Sequence, residues 1–196
     1  AAPMLVAQIV NLLYNIVDRI YIGKIPGEGM IALAGLGLCF PVITMVTAFA
    51  NLFGLGGAPL CSIARGKKDT EGARKVMNNA FFMLILTGLC ITILGIAFHK
   101  PILYLFGASD ATYPYAAGYM IIYLLGTVFV MTSLGMNPYI NSQGFAKIGM
   151  KTVTLGAVSN LILDPIFIFV FHLGVQGAAI ATIISQLFSA IWVLRF

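Results

Sequence analysis

Two carboxylates set in apolar runs are the residues of this sequence best equipped for chemistry. Asp164 stands within Ser159-Asn160-Leu161-Ile162-Leu163-Asp164-Pro165-Ile166-Phe167-Ile168-Phe169, one residue before a proline and one helical turn after an asparagine. Asp18 stands within Asn15-Ile16-Val17-Asp18-Arg19-Ile20-Tyr21. In hydrocarbon an ionised carboxylate without a partner costs several kcal/mol or more, so a membrane-embedded acid reads as functional unless shown otherwise. Oxygen ligands of this kind suit a hard monovalent cation. They equally suit two acids that share a proton, because neighbouring like charges in low dielectric cannot both stay ionised cheaply. The other acids, Glu28, Asp69, Glu71 and Asp110, fall in turn-like or loop-like stretches and read as solvated charge.

The surroundings of these acids must be a membrane. Of 196 residues, 60% are hydrophobic and 9% charged, and the mean hydropathy is +1.00. A soluble domain carries about 25% charged residues, so the chain lacks the material for a solvated surface. Its apolar runs are solid rather than alternating over about ten residues, which predicts helices and not a β-barrel. The expected fold is an all-α integral membrane protein, a single lobe of six transmembrane helices over residues 1–23, 31–64, 76–98, 111–141, 150–171 and 175–196. The second span exceeds a hydrocarbon core of ~30 Å. Tilt, or kinks at Pro41, Gly54-Leu55-Gly56-Gly57 and Pro59, would absorb the excess. That glycine cluster lacks the Lys-Ser/Thr of a phosphate loop and reads as close helix packing. The strongly charged stretch Arg65–Lys75 is expected as a loop, and Ile102–Asp110 as an amphipathic linker.

The net charge of +5 does not mark a nucleic-acid partner, because the basic residues sit in short loops between spans. Arg65, Lys67, Lys68, Arg74, Lys75, Lys147, Lys151 and Arg195 fall on one side, against Lys24 and Lys100 on the other. The positive-inside rule then places both ends in the cytoplasm of a multi-pass protein of the cell membrane. Cys39, Cys61 and Cys90 lie in apolar segments without metal-ligand spacing and read as small buried packing residues.

Helix rise sets the depth of each polar group. At 1.5 Å per residue, Asp18 lies about 8–9 Å inward from the outer end of span 1. Asp164, Thr182 and Tyr119 each lie about 12 Å in from the outer ends of spans 5, 6 and 4. Asn160 is one turn deeper than Asp164 on the same face. These five side chains share one layer in the outer half of the membrane. Below it, Asn11, Tyr14 and Asn15 form a stripe on span 1, and Asn137 lies on the same face of span 4 as Tyr119. Such stripes either line a water-filled cavity or bond helices together. The structural alternative for Asp18 is an ion pair with Arg19, weakened because adjacent helical residues point about 100° apart.

Several of these stretches resemble one family. Asn11-Leu12-Leu13-Tyr14-Asn15-Ile16-Val17-Asp18-Arg19-Ile20-Tyr21-Ile22-Gly23, Ala32-Leu33-Ala34-Gly35 and Pro41 are similar to the first helices of multidrug and toxic-compound extrusion (MATE) transporters. Gly56-Gly57-Ala58-Pro59, Tyr139-Ile140-Asn141-Ser142-Gln143-Gly144, Asn160-Leu161-Ile162-Leu163-Asp164-Pro165 and Gly177-Ala178-Ala179 extend the match, in order, along the chain. The resemblance implies an antiporter, not an enzyme, that needs no cofactor. Such an antiporter exports drugs and other amphipathic, often cationic compounds by alternating access as sodium ions or protons flow inward. It implies a coupling site at Asp18, Asn160, Asp164, Thr182 and Tyr119, with Asp18, Asn160, Asp164 and Thr182 as sodium ligands if sodium is the ion. Asn11, Tyr14 and Asn137 would face substrate, and Pro3 would bend helix 1. Family members have twelve helices in two lobes, and this chain resembles the amino-terminal lobe alone, so a second six-helix lobe is an expected partner. Two rivals remain from other classes. A lipid-linked oligosaccharide flippase of related architecture would need a strongly cationic cavity. An intramembrane aspartyl protease would need Tyr-Asp and Gly-x-Gly-Asp signatures, where the chain has Val17-Asp18 and Leu163-Asp164.

Overall fold

A computed structural model describes the backbone of residues 2–196 and the side chains from residue 5 onward. Among the described residues the chain is helical without strands: α1 (Ala2–Gly23), α2 (Gly29–Gly66), α3 (Thr70–Ala97), α4 (His99–Leu105), α5 (Tyr113–Leu125), α6 (Thr127–Ser142), α7 (Ala146–Pro165) and α8 (Gly174–Arg195). Five segments are long and apolar enough to cross a membrane, and α5 with α6 completes a sixth crossing as one bent span. Pro3, expected to bend helix 1, lies outside the residues whose side chains are described.

The small residues of α2 explain its place at the centre of one side. Ala32, Gly35, Cys39, Val42, Val46, Ala50, Gly54, Ala58 and Cys61 recur at three- and four-residue intervals and are all buried. Between apolar helices in lipid there is little hydrophobic driving force. Close backbone approach through small residues supplies the attraction instead. This stripe packs on α3, α5 and α6, while α1 leans mainly on α7, and α8 fills the space between α5, α6 and α7. The bulky residues Leu52, Leu55, Leu60, Phe82 and Ile93 point outward, as lipid-facing side chains do. Although Pro41 and Pro59 lie inside α2, the helix runs unbroken for 38 residues, about 57 Å, so length beyond the hydrocarbon core is taken up by tilt or projection.

Three expectations are corrected. Residues Arg65–Lys75 are mostly helical: α2 runs to Gly66, α3 begins at Thr70, and only residues 67–69 turn. The Asp69 carboxylate caps α3 by accepting from the Gly72 N–H at 2.8 Å, and Glu71 pairs with Lys75 one turn on at 2.7 Å. Asp69→Ala is therefore expected to lower stability by about 1 kcal/mol, read as a drop in melting temperature that Asp69→Asn largely avoids. Second, span 4 is not one helix: α5 and α6 meet at Gly126 with a bend of 58°. The carbonyls released there are recovered by hydroxyls, Thr92 donating to Leu124 at 2.7 Å and Thr127 to Tyr123 at 3.3 Å. Third, Cys90 is exposed, while Cys39 and Cys61 are buried.

Two spans end differently from the sequence-based expectation. Residues 99–105, divided in the sequence between the end of span 3 and a linker, form the short helix α4, with Leu103 buried and Leu105 exposed. Beyond Pro165, the segment Ile166–Val170 winds as one π-helical turn. Proline removes a backbone donor and displaces the hydrogen-bond ladder, and such wide turns often accompany functional sites. This one begins two residues after Asp164.

Candidate functional site

Asp18, Tyr119 and Thr182 of the expected layer line one cavity, and Asn160 and Asp164 are buried behind that wall. The carboxyl groups of Asp18 on α1 and Asp164 on α7 are neighbours across the α1–α7 contact. Asn160, one turn from Asp164, donates its amide N–H to Asp164 Oδ1 at 3.0 Å and to Thr182 Oγ1 on α8 at 3.4 Å. Asp164 and Asn160 are almost fully buried, at 1% and 2% exposure. Tyr119 is buried on the same wall and stacks on Tyr123, with ring centroids 6.0 Å apart. Among the described residues its hydroxyl is bonded to none of the other four.

The supply of donors is short. Asp18 Oδ1, Asp164 Oδ2 and Asn160 Oδ1 are buried, and each lacks a hydrogen-bond partner. Buried acceptors are satisfied in nearly all proteins, so three in one cluster are open to a donor: a proton on one carboxyl, a water or a small cation. Arg19 does not supply it. Its guanidinium lies over the Phe40 ring, 4.5 Å from the centroid, and the single ion pair among the described residues is Lys75–Glu71. Arg19 and Asp18 thus form no direct ion pair, although the guanidinium charge still acts on the neighbouring carboxyl. With only two carboxylates, an amide and a hydroxyl, the cluster offers no group of three or more His, Cys, Asp or Glu among the described residues. Hard oxygen donors with at most two negative charges fit a proton or a monovalent cation.

Beneath the acids, α1, α2 and the helices from α5 to α8 enclose a cavity of about 300 Å³. Asn11, Tyr14 and Asn137 line it, as does Asn15, whose amide donates to Asn11 Oδ1 at 2.9 Å. Asn137 takes both roles left open by the sequence: it faces the cavity and donates to the Gly149 carbonyl at 3.3 Å, joining α6 to α7. Sequence reasoning missed a second polar group on the same walls. Ser133 donates to Gln186 Oε1 at 2.5 Å, and Ser189 donates to the Thr152 carbonyl at 3.1 Å. The signal was present, because Thr152, Gly156, Asn160 and Asp164 are each four apart on α7, and Gln186 is four beyond Thr182 on α8.

A multi-helix membrane protein whose helices, one span of them bent, surround a polar cavity with ionisable groups on its wall has the build of a transporter lobe. Comparison with known proteins narrows this. Residues 3–166 match the MatE family model, and the chain belongs to that family. The multidrug export protein MepA of Staphylococcus haemolyticus is 30% identical over 194 residues, 99% of this chain and 42% of that protein. A MATE transporter crystallised in complex with MaD5 superposes with a TM-score of 0.92 at 29% identity, covering 100% of this chain and 44% of the other. An outward-facing multidrug-resistance MATE transporter of the MOP superfamily gives 0.91 at 30% identity over 98% of this chain and 42% of the other. The chain thus spans less than half the length of the relatives it matches, and corresponds to the amino-terminal half of a transporter rather than to an enzyme.

Proposed function

We propose that this chain is the amino-terminal lobe of a cation-coupled antiporter that exports drugs and other amphipathic, often cationic compounds from the cytoplasm. Asp18 and Asp164 bind the coupling ion, a sodium ion or a proton. Asn160 and Thr182 complete its shell, and Tyr119 closes the wall above. The observation that carries this reading is the pair of neighbouring acids with unpaired oxygens, Asp18 on the wall of a cavity and Asp164 buried behind it. A cation entering the pair removes like-charge repulsion and lets α1 pack more closely on α7. That repacking alters the cavity in which Asn11, Tyr14 and Asn137 hold substrate. By charge, the α2–α3 and α6–α7 turns face the cytoplasm of the cell membrane, and a second six-helix lobe closes the other side of the cleft. The flippase alternative is disfavoured because, among the described residues, Arg19 is the one basic residue on the cavity wall, too few cations for a pyrophosphate.

The test is dye movement by the two-lobe protein in liposomes. A fluorescent cationic dye is expected to move against its gradient when sodium or protons run down theirs, and to stop when that gradient is collapsed. Equal dye flux with and without either ion gradient would overturn the proposal.

A further inference from the structure

A second cavity, of about 270 Å³, lies at the end of the bundle that carries the basic α2–α3 and α6–α7 turns, and it shares no lining residue with the first. Both α3 and α8 pack on α6 while hardly touching each other, which leaves a groove between them with α6 as its floor. Met77 and Phe81 of α3 form one wall, Met136 and Ile140 of α6 the floor, and Leu194 of α8 the other wall. Phe196 closes its end, with its ring edge-on to Phe145 at a centroid distance of 5.1 Å. Leu194 and Phe196 are half exposed, so the groove opens sideways onto the surface that meets lipid.

The mouth of this groove is basic. Gln143, which lines it, accepts a hydrogen bond from the Arg65 guanidinium. Asn78 also lines it, and Arg74 stands one turn before Asn78 on the same side of α3. Helical side chains lean toward the helix N-terminus, so Arg74 points from the groove toward the membrane surface. The nearby acids are already engaged, Asp69 in the α3 cap and Glu71 with Lys75. Among the described residues, Arg65 and Arg74 therefore have no carboxylate partner.

We propose that the groove between α3, α6 and α8 binds one anionic phospholipid of the inner leaflet, an acyl chain in the groove and the phosphate on Arg65 and Arg74. Basic pockets between membrane helices at the cytoplasmic side suit anionic headgroups. A soluble anion would leave the apolar groove unfilled, and a zwitterionic lipid brings its own cation to the two guanidiniums. The chain rests against Tyr139, whose hydroxyl donates to the Phe53 carbonyl of α2 at 2.8 Å, so the lipid braces the α2–α6 contact. The proposal goes beyond the export reading and takes from it only the orientation set by the basic turns.

Native mass spectrometry of the two-lobe protein, titrated with dioleoyl phosphatidylglycerol or dioleoyl phosphatidylcholine, tests it. The first phosphatidylglycerol is expected to bind roughly tenfold or more tighter than phosphatidylcholine. Arg65→Gln with Arg74→Gln is expected to weaken phosphatidylglycerol about thirtyfold and leave phosphatidylcholine unchanged. Lysine at both positions should keep most of the affinity, since it still binds phosphate as a point charge. Lys67→Gln with Lys68→Gln removes the same charge from the adjoining turn without touching the groove, and should have little effect. Melting temperatures without lipid report folding; if Arg65→Gln unfolds the protein, Arg74→Gln alone carries the test with a loss of about fivefold. Equal losses in the arginine and lysine variants would mean general attraction to a basic surface and overturn the proposal. Displacement of the lipid by equimolar inorganic phosphate would overturn it too. So would a wild type without preference for phosphatidylglycerol, the result expected if the second lobe covers the groove. Dye transport does not enter this measurement, so failure of the export reading is seen separately.

Discussion

Asp164→Asn is expected to abolish ion-driven dye export by the two-lobe transporter while leaving the folded protein at least as stable as the wild type. The asparagine is nearly isosteric and still accepts the Asn160 N–H, now 3.0 Å from Asp164 Oδ1. What disappears is a carboxyl that can give up its proton, nine-tenths and more buried and facing a second acid. Bonds to a charged partner are worth about 1.5–3 kcal/mol each, and losing two of them weakens cation affinity by roughly 100-fold or more. Stability is expected to hold or rise, because an amide in place of a buried carboxyl can never carry the charge whose desolvation and repulsion oppose folding. Asp18→Asn should act likewise, and the double variant should be little worse than either single one, as residues acting as one unit are not additive. Efflux in liposomes, read beside the melting temperature in detergent, checks this. A purely structural role for Asp164 gives the opposite pattern, with stability and export lost together.

The second large effect concerns packing. Gly54→Leu is expected to destabilise the protein by about 3 kcal/mol, or to prevent folding. A Cβ on Gly54 would stand 2.6 Å from the Gly135 carbonyl oxygen and 3.1 Å from its Cα, so the obstacle is backbone and cannot turn aside. The helices α2 and α6 would have to separate along a contact made of small residues, where dispersion falls off steeply with distance. Gly56→Leu, two positions along in the same cluster, is the control. Nothing lies within 4 Å of a Cβ there, and leucine has the higher helix propensity by less than about 1 kcal/mol. Unfolding in a graded detergent series should show a large loss for the first and none for the second. Equal losses at both positions would mean that α2 and α6 do not meet at Gly54.

The contrast between Gly54 and Gly56 marks the boundary between what can be read from one dimension and what cannot. The membrane class, the six crossings and the polar layer follow from composition and spacing alone. Apolar run length is tied to bilayer thickness, and helix rise is fixed, so counting residues from each loop gives depth. That is why Asp18, Asn160, Asp164 and Thr182, from three helices, could be assigned to one level before any contact was known. Depth says nothing about rotation. In lipid both the buried and the exposed faces of a helix are apolar, so the periodicity that orients a helix in water is faint. Only packing in three dimensions decided that Gly54 meets Gly135 while Gly56 faces outward. Packing likewise sent Arg19 to Phe40 rather than to Asp18, and opened span 4 at Gly126 against α8. The sequence by itself determined which residues could share a level. The tertiary structure decided which of them touch, because the angle of each helix about its axis is set by the shapes of its neighbours.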